Sequence, residues 1–414
     1  MEDEEETQQI LKVLEALKQA SQQLQSNPES DTSESDSSSS SAIKALLEFD
    51  TYSDPNLLNL SHHLSDLKTL ISSLHKSKHK HGRIKSFLTR RVKTHEITKV
   101  AESIESEIQA WIDRESITNL TNQLQQIRLQ SNSSQYEEEE DEIVEKLTIF
   151  HDRLCQGFNI NLQDLLLKSK IFSELEFLLC CNCNVPQKVR EKAGYALKEV
   201  VLFNKDVFVG QVLIGQTIKA LISMDSLCSL EVLSSLIKAI RSPLVDAIES
   251  VGGISKAISY LNSDDLPFKV TAMDFVLEIG YFGRKEAVEA MLNCGLINKL
   301  VELQRSDLGG DLIDLGKVHE DSEEEIDEDE HEEKGKTKKK KKKKRGNREK
   351  RFLEKHPFAS CVARFTVQLE VGEGLRQREK RGFKQEILKK IREACNTDAE
   401  AATIVAEVLW GSSP

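Results

Sequence analysis

The chain has 414 residues but only seven prolines and nineteen glycines, where usual frequencies give about 20 and about 29. Turns between strands consume both residues, and aromatics make up only 5%, so the composition predicts an all-α protein and argues against a β-rich or dinucleotide-binding enzyme. A net charge of −12, diluted over so long a chain, argues against general affinity for nucleic acid.

In chain order, an opening helix over about residues 5–24 sets Ile10, Leu14, Leu17 and Leu24 on one stripe. The Ser-, Asp- and Glu-rich stretch 26–41 has little to bury and is expected to be a disordered linker. From Pro55 a second helix places Leu57, Leu60, Leu64, Leu67, Leu70, Ile71 and Leu74 at three- and four-residue steps. A long helix follows over 84–129, with Phe87, Val92, Ile97, Val100, Ile104, Ile108, Trp111 and Ile112. The acidic run from Glu137 to Glu142 opens another helix through Phe158, where negative charge suits the positive end of the helix dipole. These segments predict a helical bundle over residues 1–158.

One junction in that bundle, HKSKHKHGRIKSFLTRRVK, gathers Lys76, Lys78, Lys80, Arg83, Lys85, Arg90, Arg91 and Lys93. The patch suits an anionic membrane surface or an acidic partner; a solvated helix junction is the plainer reading. His75, His79 and His81 alternate with lysines whose charge disfavours a cation.

From about residue 159 the chain repeats. Gly253 and Gly295, in GGISKAISYL and CGLINKLVEL, stand 42 residues apart, and GQTIKALISM at Gly215 is a weaker copy. PQKVREKAGYAL at Pro186 matches PFKVTAMDFVL at Pro267 after 81 residues, about two periods. PFASCVARFTVQL at Pro357 matches again, with Phe358 and Phe365 mirroring Phe268 and Phe275. Each proline is expected to open a helix, where its missing N–H costs nothing. A period near 40 residues marks armadillo or HEAT repeats. The run VDAIESVGGISKAISYLNSDDLPFKVTAMDFVLEIG resembles an armadillo repeat: a short helix, a glycine turn, a longer helix ending in Leu, then a proline-started third helix rich in Ala. Over roughly residues 160–410 the chain resembles plant armadillo-repeat proteins with a helical N-terminal extension, with repeats expected over 159–305 and a final repeat and cap over 352–414. HEAT repeats are the alternative. The last segment, with Phe383, Ile387, Leu388 and Ile391 on one stripe and Ala402, Val405, Ala406 and Leu409 on another, reads as a closing pair that covers the end of the solenoid, anchored by Trp410.

Residues 306–351 interrupt the repeat. Asp307 to Glu333 is acidic and Lys334 to Arg351 basic; blocks of like charge repel and stay disordered. This insertion is expected to loop out between the second and third helices of one repeat. Its run Lys338, Lys339, Lys340, Lys341, Lys342, Lys343, Lys344 and Arg345 fits a nuclear-localisation signal, an anion-binding segment, or solvated low complexity screened by the acidic block. No aromatics interleave it, which weakens base stacking.

The resemblance implies peptide binding along a groove, with an Asn near the end of each third helix. Those positions fall here on Glu199, Ala239, Glu278 and Gln368, none of them Asn, so the family's usual reading of a peptide backbone does not carry over as such. The two carboxylates either favour a partner with basic segments or are merely solvated. Cys180, Cys181 and Cys183 lack a second ligand pair nearby in sequence and are expected to be small buried hydrophobes. No catalytic or phosphate-binding motif occurs, nor a compact U-box-like module. No enzyme activity, cofactor or metal is expected. Without an apolar run of about 20 residues or a signal-like start, the expected location is the cytoplasm or nucleus. The expected function is a protein-binding scaffold. The alternatives are a peripheral membrane protein docking through the bundle and a substrate adaptor of a ubiquitin ligase.

Overall fold

The computed structural model describes residue 22 and residues 58–77, 83–129, 136–181, 185–310 and 352–410, and among them every regular element is an α-helix. The opening helix apart from Gln22, the linker 26–41 and the insertion beyond residue 310 lie outside the described residues. Two units account for the chain: 1–127 with 159–171, and 128–158 with 172–414. Among the described residues no single helix is long and apolar enough to cross a membrane.

The first helices are α1 (Leu58–Ser77), α2 (Arg83–Leu129), α3 (Tyr136–Cys155), α4 (Ile160–Ser169), α5 (Ile171–Cys180) and α6 (Gln187–Phe203). In the first unit, α1 buries Leu60, Leu64 and Leu67, and α2 buries Ile97, Ala101, Ile104 and Ile108, the three- and four-residue steps that the sequence sets out. Val92, expected on that stripe, is exposed. Lys93 Nζ donates to the Ser73 carbonyl at 2.9 Å.

The second unit is built from triplets. They are α7 (Lys205–Ile214), α8 (Thr217–Met224) and α9 (Leu227–Ile240); α10 (Ser242–Ser250), α11 (Gly253–Tyr260) and α12 (Leu266–Phe282); and α13 (Lys285–Asn293), α14 (Leu296–Arg305) and α15 (Cys361–Val371). Third helices stack on one another: α6 on α3, α9 on α6, α12 on α9 and α15 on α12. This order and packing make an all-α solenoid of armadillo type. The sequence reading assigned residues 136–158 to the N-terminal bundle; here α3 lies along α6 and belongs to the solenoid. Its amphipathic pattern looks the same whether the apolar side faces a bundle or a repeat.

The repeats are punctuated one or two residues away from where sequence alignment puts them. Gly252 (φ +74°) and Gly295 (φ +78°) are the equivalent N-caps of α11 and α14, both left-handed. Buried Gly253, Ile254, Ala257 and Ile258 therefore match Leu296, Ile297, Leu300 and Val301, a period of 43. Gly253 serves packing instead: a Cβ there would lie 2.6 Å from Ile222 Cδ1 and 2.8 Å from Ile248 Cγ2. Pro186 is the N-cap of α6, whereas Pro267 lies one residue inside α12 and Pro357 sits in a turn before α15. Burial aligns Ala193, Ala196, Leu197 and Val200 with Ala272, Phe275, Val276 and Ile279, a spacing of 79. Ser226 and Ser229 cap α9 without proline, each hydroxyl accepting from the other's backbone N–H.

Around residues 311–351 the flanking chain is tied together. Phe358 N donates to Leu308 O at 3.1 Å and Ser360 N to Gly310 O at 2.9 Å, and α15 resumes its place against α12 and α14. Two further helices, α16 (Gln377–Ala394) and α17 (Asp398–Trp410), pack on α14 and α15 respectively. The α17 stripe differs from expectation: Ile404, Glu407 and Val408 are buried, whereas Leu409 and Trp410 are exposed. Glu407, 1% exposed, accepts from Gln304 Nε2 at 2.8 Å and from Ser360 Oγ. These bonds join α17 to the end of α14 and to the point where the chain returns.

Glu407→Ala removes the acceptor shared by two buried donors and should lower unfolding free energy by about 3 kcal/mol in urea titration. Gly295→Ala, with open space around its Cβ, should cost about 1–2 kcal/mol through backbone strain alone, with Gly295→Asn milder. Gly253→Ala should cost about 1–3 kcal/mol through crowding, and Ile222→Val should relieve part of it.

Candidate functional site

Helices α9 and α12 bury one side against the first two helices of their triplets and α15 against α14, α6 is bonded to α5 through Arg190 Nη2 and Leu179 O at 3.1 Å, and the four lie flank to flank. The remaining side is open. Exposed Glu231, Lys238 and Asp274 stand on it among half-buried Tyr195, Glu199, Ser235, Glu278, Arg364 and Gln368.

Polar contacts cross the seams between successive third helices. Lys188 Nζ lies 2.7 Å from Asp141 Oδ1 on α3. His151 Nε2 on α3 lies 3.6 Å from Glu199 Oε1 on α6. The Tyr195 hydroxyl donates to Glu231 on α9; burial, and then this carboxylate, push it above the ordinary phenol range, so it remains a donor. Lys238 Nζ on α9 lies 3.3 Å from Glu278 Oε1 on α12.

The four positions singled out in sequence sit on this side, with one change of register. Burial pairs Ser229, Leu230, Val232, Leu233 and Leu236 with Ala272, Met273, Phe275, Val276 and Ile279. Ser235, not Ala239, is therefore the counterpart of Glu278. Ala239 stands one helical turn further on, and Gln368 keeps the expected place. Glu199 is engaged by Lys198 Nζ at 2.8 Å as well as by His151. Both carboxylates thus already have cations beside them, which reduces the negative charge they present to a basic partner. Sequence reasoning missed His151, Tyr195 and Asp274, because these matter only once neighbouring helices are in register.

The other charged candidates bear little on this side. Lys338, Lys339, Lys340, Lys341, Lys342, Lys343, Lys344 and Arg345 lie outside the described residues, as do Lys78 and Lys80. Lys76, Arg83, Lys85 and Arg90 fall in helices whose side chains there are not described. Arg91 is exposed, and Lys93 is engaged by the Ser73 carbonyl. Cys180 is exposed and Cys181 half-buried, contrary to the expected burial; Cys183 lies outside the described residues. Among the described residues, two clusters have ligand atoms spaced for a metal ion: His62, His63 and Asp66 on α1, and His151, Cys155 and Glu199 across α3 and α6.

No protein-family model and no curated protein matches the chain. Among solved structures it is similar to an engineered protein at 16% identity, with 70% of this chain and 99% of that chain covered and a TM-score of 0.41. It is similar to a designed armadillo repeat protein in complex with the peptide (KR)4, at 14% identity, 70% and 99% coverage and a TM-score of 0.39. A computationally designed armadillo repeat protein for modular peptide recognition gives 12% identity, 71% and 100% coverage and a TM-score of 0.39. The armadillo-type assignment of this chain rests on its own helix order and packing.

Proposed function

We propose that the protein is a non-catalytic interaction scaffold that holds an extended segment of a partner protein against the open side of α6, α9, α12 and α15. The observation that carries this reading is the row itself. Four stacked helices leave one continuous side of polar and small residues uncovered by the rest of their unit, a surface suited to a linear segment. Cations paired with Glu199 and Glu278 point to a partner of mixed polarity in preference to a purely basic one.

Asp274 adds support. It stands exposed on this side, yet the protein around it raises its carboxyl above the ordinary carboxylate range, and Arg364 and Lys238 offset only part of that effect. A raised folded-state value means that the native protein binds the proton more readily than the unfolded chain. At neutral pH the ionised group therefore opposes folding, and the penalty fades as pH falls through the raised value towards 3.8. A carboxylate kept on an open face against stability fits a contact surface.

Asp274→Asn should therefore raise the urea midpoint at pH 7, and its advantage should shrink on acidification. An unchanged midpoint at pH 7 would remove this support. The scaffold reading is tested by proximity labelling with the full chain and with Ser235→Arg plus Gln368→Arg, which leave the core intact. Two such central changes should weaken capture of partners about tenfold or more, while Lys219→Glu on α8, away from this side, leaves it unchanged. An identical partner set from the face variant would contradict the reading.

A further inference from the structure

We infer that His151, Cys155 and Glu199 form a binding site for a thiophilic divalent cation of the zinc class, in which a helical i, i+4 pair on α3 is completed by a carboxylate from α6. The inference does not rest on the scaffold reading. A ring nitrogen of His151, Sγ of Cys155 and a carboxylate oxygen of Glu199 all lie within 4.8 Å of one another. His151 Nε2 is 3.6 Å from Glu199 Oε1, and Cys155 Sγ lies beside the same ring, 4.0 Å from its other nitrogen, Nδ1. Tetrahedral zinc with bonds of about 2.0–2.3 Å needs ligand atoms roughly 3.5 Å apart, so small rotations of exposed or half-buried side chains bring these atoms onto one ion.

Three protein ligands of the nitrogen, sulfur and oxygen types leave a fourth position for water or for a side chain of another molecule. A second feature points the same way. Asp152 Oδ1 lies 3.0 Å from His151 Nδ1. A carboxylate that accepts from one ring nitrogen fixes the tautomer that offers the other to a metal, and Nε2 is the nitrogen facing Glu199. Binding forms the sulfur–metal bond with loss of the thiol proton to solvent. Lys198 Nζ, 2.8 Å from Glu199 Oε1, is the competitor. The same Nζ already lies 5.4 Å from the centre of the Tyr195 ring, a contact it keeps when the carboxylate turns to the metal.

The test uses the full chain with Cys180, Cys181 and Cys183 changed to serine, titrated with Co2+ and then Zn2+. The expected result is one equivalent of cobalt giving a thiolate-to-metal charge-transfer band and tetrahedral visible bands, both displaced by zinc. Cys155→Ser should abolish the charge-transfer band, and His151→Ala and Glu199→Gln should each weaken cobalt binding by about tenfold or more. Circular dichroism should stay at the parent's helical signal. Lys198→Ala, which leaves every ligand in place, should tighten binding. No saturable band in the parent, a band that persists in Cys155→Ser, or unchanged affinity in His151→Ala or Glu199→Gln would overturn the site.

Discussion

The solenoid depends on the packing of each third helix against the third helices before and after it. A three-helix unit of about 40 residues cannot cover its own apolar surface. In α9, Leu230, Val232, Leu233, Leu236 and Ile237 are all buried, with α6 on one flank and α12 on the other. The contact between α12 and α15 is close enough to require a glycine. A Cβ on Gly280 would come within 2.9 Å of the Phe365 ring, and that ring is fully buried. Low proline and glycine content follows from this design, because helices do the spacing and only a few positions need special backbone.

Stacking along one direction also explains where polarity goes. Two flanks and one side of each third helix are consumed by packing, and the fourth side is left to solvent and to cross-helix pairs. The pairs are partly exposed, so each contributes modestly to stability; their larger effect is to fix register and charge on the open side. After α15, helices α16 and α17 take up the packing on α14 and α15. Here α17 brings in a buried carboxylate, and Gln304 and Ser360 supply its donors. Because Ser360 follows directly on the returning chain, the same contact secures the closing helix and the third helix of the interrupted unit.

Much of this was legible in the sequence. The period near 40 and the three-helix order were readable because they depend on local signals, apolar spacing and glycine turns. The second helix, expected to be longer than the first, has 8 residues in Gly253–Tyr260 against 9 in Ser242–Ser250. Register was not readable. Two adjacent glycines, Gly252 and Gly253, have different jobs, one left-handed and one tightly packed, and sequence gives no reason to prefer the first as the turn. Proline stands before, inside or well ahead of a helix, so its alignment slips by two residues. Ala193 and Ala272, small residues at buried seams, align the helices correctly because packing constrains them more tightly than a helix start constrains proline. The cation site was hidden for a similar reason. Glu199 was singled out, but nothing in the chain says that α3 stacks on α6, and without that His151 and Cys155 do not meet it. Glu407 inverts the usual rule that an apolar stripe marks the buried side.

The central claim is that stability passes between neighbouring third helices and not through one shared core. Hydrogen exchange in the full chain carrying Phe275→Ala, which removes a buried ring from α12, tests this most directly. The account predicts the largest loss of protection in α12, smaller losses in α9 and α15, and little change in α3. Equal loss in every helix of the unit, or loss confined to α12, would contradict it.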